Sequence, residues 1–310
     1  MGEALYPSYL RLYRSGALRE RVALARERLA ACDLCPRECG VNRLKGELGY
    51  CRSGALAKVA SWNVHRGEEP PISGQRGSGT IFFSNCTAHC LFCQNYPISQ
   101  LGVGQEVTTE RLAEMMLELE RSGCHNINLV TPTHFAPQFL AALEVAIPRG
   151  LRIPLLYNTS GYDRVETLRL LEDVVDIYLP DAKYSDDEVA RRLSGFKDYV
   201  RHNRAALLEM QRQVGSELLT DAQGIATRGM IIRHLVLPHG LSQTPEVLRW
   251  IAENLSQRVH ISLMSQYFPA HRAVGDAELG RGLSLQEYDA ALEAFEEAGL
   301  ENGWQQPLVE

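Results

Sequence analysis

No run of about 18 apolar residues occurs in this 310-residue chain, so no stretch of it reads as a membrane-spanning helix. Positive charge is in short supply too. The chain has 32 Lys and Arg against 38 Asp and Glu, a formal charge of −6. Phosphate backbones are held by basic footprints, so a nucleic-acid partner is not expected. The opening residues, MGEALYPSYLRLYRSGALRE, lack an apolar signal core, which predicts a cytoplasmic protein. There, a disulfide framework is not expected, because thiols are kept reduced.

Cysteine, however, is abundant. Seven of the eight cysteines fall into two tight groups, Cys32, Cys35, Cys39 and Cys51, then Cys86, Cys90 and Cys93. Clustered reduced thiols are read first as metal ligands. Cys124 stands alone in RSGCHNINL and reads as a small buried hydrophobe. Hydrophobic residues at 45% and charged residues at 23% fit a globular protein with one large domain, with or without an appendage.

Residues 1–75 read as a helical and cysteine-rich segment, polar enough to need a metal to hold it together. Residues 76–310 change character. TIFFS, NINLVTP, IPLLYNT, DIYLPD, IIRHLVLP and HISLMSQY are strand candidates, each followed by an amphipathic stretch such as TTERLAEMMLELERSG. This alternation predicts an α/β fold of parallel β/α units. There are fewer units than a closed barrel uses, so a six-unit partial barrel and an open doubly wound sheet both fit. In either, the loops at the C-terminal strand ends carry the site.

The loop after the first of these strands holds Cys86, Cys90 and Cys93, one ligand short of a closed metal site. Zinc could be completed by His89 within the loop, giving a non-catalytic zinc-binding interaction protein. A [4Fe–4S] cube would instead keep one iron free of protein ligands.

The spacing Cys86-x3-Cys90-x2-Cys93, with Phe92 before the last cysteine, resembles the signature of the radical S-adenosylmethionine (SAM) superfamily. Together with CDLCPRECGVNR, HRGEEPPISGQRGSGTIFFS, CQNYPISQ, NINLVTPTHF, YNTSGY, DIYLPDAKY, RHLVLP and LMSQY, it is similar to an uncharacterised subgroup related to pyruvate formate-lyase activating enzyme. The resemblance implies a partial (β/α)6 barrel with an N-terminal cysteine-rich appendage, a [4Fe–4S] cluster on the three cysteines, and SAM as the fourth ligand. It implies an oxidoreductase that cleaves SAM to a 5′-deoxyadenosyl radical, which takes hydrogen from a small molecule or, in an activating enzyme, from a glycine of a partner protein. A one-electron donor such as flavodoxin or ferredoxin is the implied partner.

Within that resemblance, Phe92, Thr131, Thr133, Asn158, Thr159, Ser160 and Arg233 are the candidate cofactor-binding residues. Thr131-Pro132-Thr133-His134 stands where the superfamily usually has Gly-Gly-Glu, so an acid for the methionine amine is missing, and Thr133 could instead cap a helix. His134, Asp181, Lys183, Gln266 and Tyr267 are candidates for the substrate side. Asp181 and Lys183 could equally form a structural salt bridge. Strand alternation allows only one of Arg233 and His234 to face inward, and a buried arginine needs a carboxylate, either the cofactor's or an acidic strand residue. His65, Glu68 and Glu69 could fold over the barrel mouth and reach substrate, although paired carboxylates in a loop are usually just solvated. Cys32, Cys35, Cys39 and Cys51 supply four thiols, which close a site fully, so they read as structural zinc or an auxiliary iron–sulfur cluster, with zinc preferred.

Overall fold

Short apolar runs become strands and the amphipathic segments between them become helices, as their periodicities require. In the computed structural model, which describes residues 6–308, the strands in chain order are β1 (Ala57–His65), β2 (Ser78–Phe83), β3 (Gln105–Val107), β4 (Ile127–Val130), β5 (Leu155–Thr159), β6 (Ile177–Pro180), β7 (Leu219–Thr220), β8 (Ala226–Leu235), β9 (His260–Met264) and β10 (Asn302–Gln305). The first five and last two residues of the two expected segments lie outside the described residues.

β2, β4, β5, β6, β8 and β9 are the six expected strands, and each pairs in parallel with the next in that order. Among these parallel strands the order never reverses, so the parallel sheet has no switch point and is not doubly wound. Successive right-handed crossovers then place the helices on one side. The result is a partial β/α barrel whose path runs from β10 to β3 without closing.

Three further pieces of the sheet carry weak sequence signals. β10 adds a parallel strand beside β9, although NGWQ offers little β-propensity. β1 and β3 extend the other edge in antiparallel fashion. β1 lies within the segment 1–75 read as helical and cysteine-rich, and its signal is weak because AKVASWNVH is only half-buried and mixes polar with apolar positions.

The outer face of the sheet packs the main core, where Ile81, Leu129, Tyr157, Tyr178, Ile232 and Leu263 meet the helices. The helix Thr109–Arg121 starts at Thr108, whose hydroxyl accepts the Arg111 N–H, and buries Leu112, Met115, Met116 and Leu119 there. Tyr9, Leu10, Leu12 and Leu18 join the same core from the N-terminal segment. Cys124 is buried in it. The long helical stretch after β6 breaks at Gly195, left-handed at φ 67°, into Asp187–Ser194 and Tyr199–Val214.

The inner face has its own small apolar cluster of Ile72, Leu156, Ile177, Leu179, Ala226 and Ile231. Ile72 comes from the loop between β1 and β2. Because β1 runs antiparallel to β2, with His65 opposite Ser78, this loop lies at the N-terminal strand ends, opposite the cysteine loop. The expectation that His65, Glu68 and Glu69 cover the mouth is therefore corrected: the short helix Pro70–Ser73 plugs the floor. Replacing fully buried Ile72 with Ala should cost about 2–5 kcal/mol in urea unfolding, whereas Leu24→Ala on an exposed helix face should stay within about 0.5 kcal/mol. Equal small losses at both positions would rule out the plug.

Candidate active site

The cysteine loop leaves β2 at its C-terminal end and is pinned on every side. Asn85 takes the left-handed turn at φ 68°, which Asn tolerates better than most residues, and its amide donates to Arg52 O and Ser53 Oγ. The backbone N–H groups of His89 and Leu91 donate to Ser194 O and Leu193 O at 2.9 and 2.8 Å. Gln100 Nε2 donates to Cys90 O at 2.8 Å. From the far side, Arg272 N–H donates to Leu91 O at 2.9 Å.

The three thiols sit in this frame as one electrostatic group. Burial pushes Cys86 up to about 12, with Cys90 and Cys93 adding to the rise. Burial likewise pushes Cys90 up to about 11 despite the nearby Lys183 ammonium. Ala88 N–H points at Cys86 Sγ at 3.4 Å, and Cys93 Sγ lies 3.1 Å from Ser99 Oγ. Desolvated thiols so placed ionise only when a cation shares their charge.

Which cation suits them follows from spacing. Among the described residues, no three Cys, His, Asp or Glu side chains stand close enough to hold a single metal ion. A tetrahedral ion with thiolate bonds of ~2.3 Å needs its sulfurs ~3.8 Å apart, whereas a four-iron cube binds each thiolate at a separate corner, farther apart. The donor set fits the cube. It does not fit zinc completed by His89, whose ring is stacked on Tyr50 at 4.4 Å.

Facing the loop, the inner strand positions form a charged chamber. Arg233 points inward, donating to Asp181 Oδ1 at 3.1 Å and Asn158 Oδ1 at 2.6 Å. His234 points outward to Ala182 O and Thr244 Oγ1. Asp181 is the acidic strand residue that meets Arg233. Lys183 Nζ approaches the other Asp181 oxygen at 2.6 Å. Burial alone would raise Asp181, but Lys183 and Arg233 outweigh it and hold the carboxyl below its usual value. Below them Glu68 rises from the floor, 3.8 Å from Arg233 Nη1 and bonded to Asn128 Nδ2 at 3.0 Å. Burial raises Glu68 above the ordinary carboxylate range. Asn128 Oδ1, Ser160 Oγ and Ser262 Oγ are buried here without a hydrogen-bond partner, as acceptors and donors for a polar ligand would be.

Backbone geometry keeps two strand ends in register. Tyr199 OH donates to Ser160 O, and Asn203 Nδ2 donates to Gly161 O and Asp181 O. Gly161, at φ 69°, leaves no room for a side chain: an added Cβ would meet Asp181 O at 2.2 Å.

Other expected residues lie elsewhere. The Thr133 and Thr159 hydroxyls donate to the buried Asp163 carboxylate at 2.8 and 2.6 Å, and Tyr157 OH donates to it at 2.8 Å. This network belongs to the outer face, so neither hydroxyl is free for a cofactor, and Thr133 caps no helix. Thr131 follows β4 and is half-buried. Phe92 packs edge-on against Tyr267 with ring centroids 5.8 Å apart. Tyr267 OH donates to Leu279 O at 2.6 Å, which makes its role packing, while Gln266 is exposed. His134 is not beside the chamber. It is buried against the N-terminal cysteines, and its Nε2–H donates to Ser84 O at 3.0 Å. Sequence reasoning overlooked Asp163 and Asn128, whose types and spacings carry no motif, and put Glu68 at the wrong end.

A parallel half-barrel with a three-thiol loop at the C-terminal strand ends, opening on a charged chamber, defines a class of iron–sulfur enzyme scaffold. The comparisons name it: the Radical SAM superfamily profile matches residues 80–220, and the chain belongs to the radical SAM superfamily. It is 31% identical to uncharacterized protein MJ0674 of Methanocaldococcus jannaschii over 293 residues, 91% of this chain and 79% of that one. Its fold is similar to the FeFe-hydrogenase maturase HydG of Carboxydothermus hydrogenoformans, with a TM-score of 0.50 and 14% identity over 96% of this chain and 68% of that one. A radical SAM methyltransferase from Sphaerobacter thermophilus matches at a TM-score of 0.49 and 16% identity, over 73% of this chain and 65% of that one, just under two thirds of its length.

The chamber's charge chain is testable by stability. Asp181→Asn leaves Lys183 and Arg233 buried without their shared partner and should lower the unfolding free energy by about 3–5 kcal/mol, measured in urea. A loss below about 1 kcal/mol would mean that water screens the pair.

Proposed function

We propose that the protein is a radical SAM enzyme holding a [4Fe–4S] cluster on Cys86, Cys90 and Cys93, with SAM bound across the chamber mouth and a hydrogen-atom donor below it. When bound, the cluster and SAM supply one-electron cleavage of the S–C5′ bond, giving methionine and a 5′-deoxyadenosyl radical. The observation that carries this reading is the set of three half-buried thiols on one loop at the C-terminal ends of parallel strands.

The chain's own residues then have definite tasks. The loop contacts with Ser194, Leu193 and Gln100 fix the thiols before metal arrives, so little ordering is left to do. Lys183, close enough to Cys90 to lower its pKa, offsets part of the thiolate charge. Ser160, Asn158 and Thr131 at the strand ends are the polar groups available to SAM. The plugged floor beneath Arg233 excludes water from below, which protects a radical from side reactions.

The same floor bears on the substrate. The buried charge chain of Lys183, Asp181, Arg233 and Glu68 suits a small polar molecule entering from the mouth better than the backbone of a partner protein, so we place glycyl-radical activation second. The electron comes from a carrier such as flavodoxin or ferredoxin. Arg52, His89, His271 and Arg272 line a shallow surface beside the cysteine loop, a positive face suited to an acidic carrier.

Anaerobically purified protein, reduced with dithionite in the presence of SAM, should release 5′-deoxyadenosine and methionine, read by liquid chromatography and mass spectrometry. The triple variant C86A/C90A/C93A should release neither. Product from that variant would mean that the cluster sits elsewhere.

A further inference from the structure

The N-terminal cysteines are distant in sequence from the loop but adjacent to it in space. Cys32, Cys35, Cys39 and Cys51 all line one small cavity, together with Arg43 and His134. The four thiols are therefore grouped about a common centre.

Two buried groups around the cavity lack the partners that their chemistry requires. Arg43 is 1% exposed, and its guanidinium donates to Gly54 O at 2.7 and 3.0 Å and to His134 O at 2.7 Å, with Cys32 Sγ at 3.9 Å. Its partners are neutral carbonyls and one sulfur, and a buried cation so placed needs an anionic neighbour. Metal-bound thiolates supply one. His134 Nδ1 is likewise buried with no hydrogen-bond partner.

The cavity also adjoins the first cysteine loop. Tyr50 N–H points at Cys39 Sγ at 3.4 Å. The Tyr50 ring stacks on His89, the residue next to Cys90, at 4.4 Å. Arg37 caps Tyr50 from its other side at 3.7 Å and donates to Thr87 O at 2.9 Å. One aromatic pair and one guanidinium separate the two groups of sulfurs.

We propose that Cys32, Cys35, Cys39 and Cys51 hold a second [4Fe–4S] cluster, closed by four protein ligands, that relays electrons to the first. The contact with the first cysteine loop favours a redox-active cube over zinc, which has no redox chemistry to use it. In the relay, one electron leaves a reduced low-potential flavin or iron–sulfur carrier, which is thereby oxidised. It reduces the second cluster and then passes to the first, returning the second to its oxidised state. No bond is made or broken. The relay role rests on the radical SAM reading above; the existence of the second cluster does not.

Iron and zinc counts on wild-type protein, purified and reconstituted anaerobically, decide the metal without any variant. About eight irons per chain and no stoichiometric zinc is expected; about four irons with one zinc would overturn the proposal. C86A/C90A/C93A should keep about four irons and, when reduced, an electron paramagnetic resonance signal that SAM leaves unchanged. C39S/C51S should keep the SAM-sensitive signal and lose the other. If instead the SAM-sensitive signal alone is missing from wild type, the radical SAM reading fails while the second cluster stands. For the relay, stopped-flow reduction of the first cluster by a reduced ferredoxin should slow at least tenfold in C39S/C51S, and an unchanged rate would refute it.

Discussion

Three thiols withdrawn from water at the mouth of a parallel half-barrel can carry charge only when a cation shares it. Everything else in the upper half of the molecule serves that condition. The loop that bears them is tied by its backbone to the Asp187–Ser194 helix on one side and to the 271–273 turn on the other. Lys183 reaches Cys90 from below, and Lys183 is in turn charge-balanced by Asp181 and, through Arg233, by Glu68. A line of alternating charges therefore runs from the sulfurs to the floor.

The repeating strand–helix pattern made the architecture readable, because strand alternation and amphipathic helices leave periodic marks. The same marks allowed only one of Arg233 and His234 to face inward, and the fold turns Arg233 in and His234 out. The cysteine spacing pointed to the superfamily in the same way, and the family profile over residues 80–220 agrees. What the sequence concealed was competition. Thr133 and Thr159 look available at strand ends, but Asp163, four residues beyond Thr159, takes both hydroxyls into a buried network behind the sheet. Glu68 and Glu69 look like a lid because loops rich in charge are usually solvated. Only the antiparallel pairing of β1 with β2 shows that their loop enters from the opposite end, and β1 itself was hard to see because it is half-buried.

The two groups of cysteines illustrate the same limit. Some 35 positions separate Cys51 from Cys86, and nothing in that interval predicts that Tyr50 and His89 stack. Yet this contact turns an apparent appendage into a neighbour of the Cys86–Cys93 loop. Arg43, unremarkable in sequence as one basic residue in a loop, becomes informative once it is found buried among carbonyls and a single sulfur.

The account rests most heavily on SAM binding directly to an iron that the protein leaves unligated. Pulsed electron–nuclear double resonance of the reduced protein with SAM, labelled in turn with ¹⁷O at the methionyl carboxylate and ¹⁵N at the amine, tests this directly. The account predicts strong hyperfine coupling of both nuclei to the cluster spin. Saturating SAM binding without either coupling would contradict it.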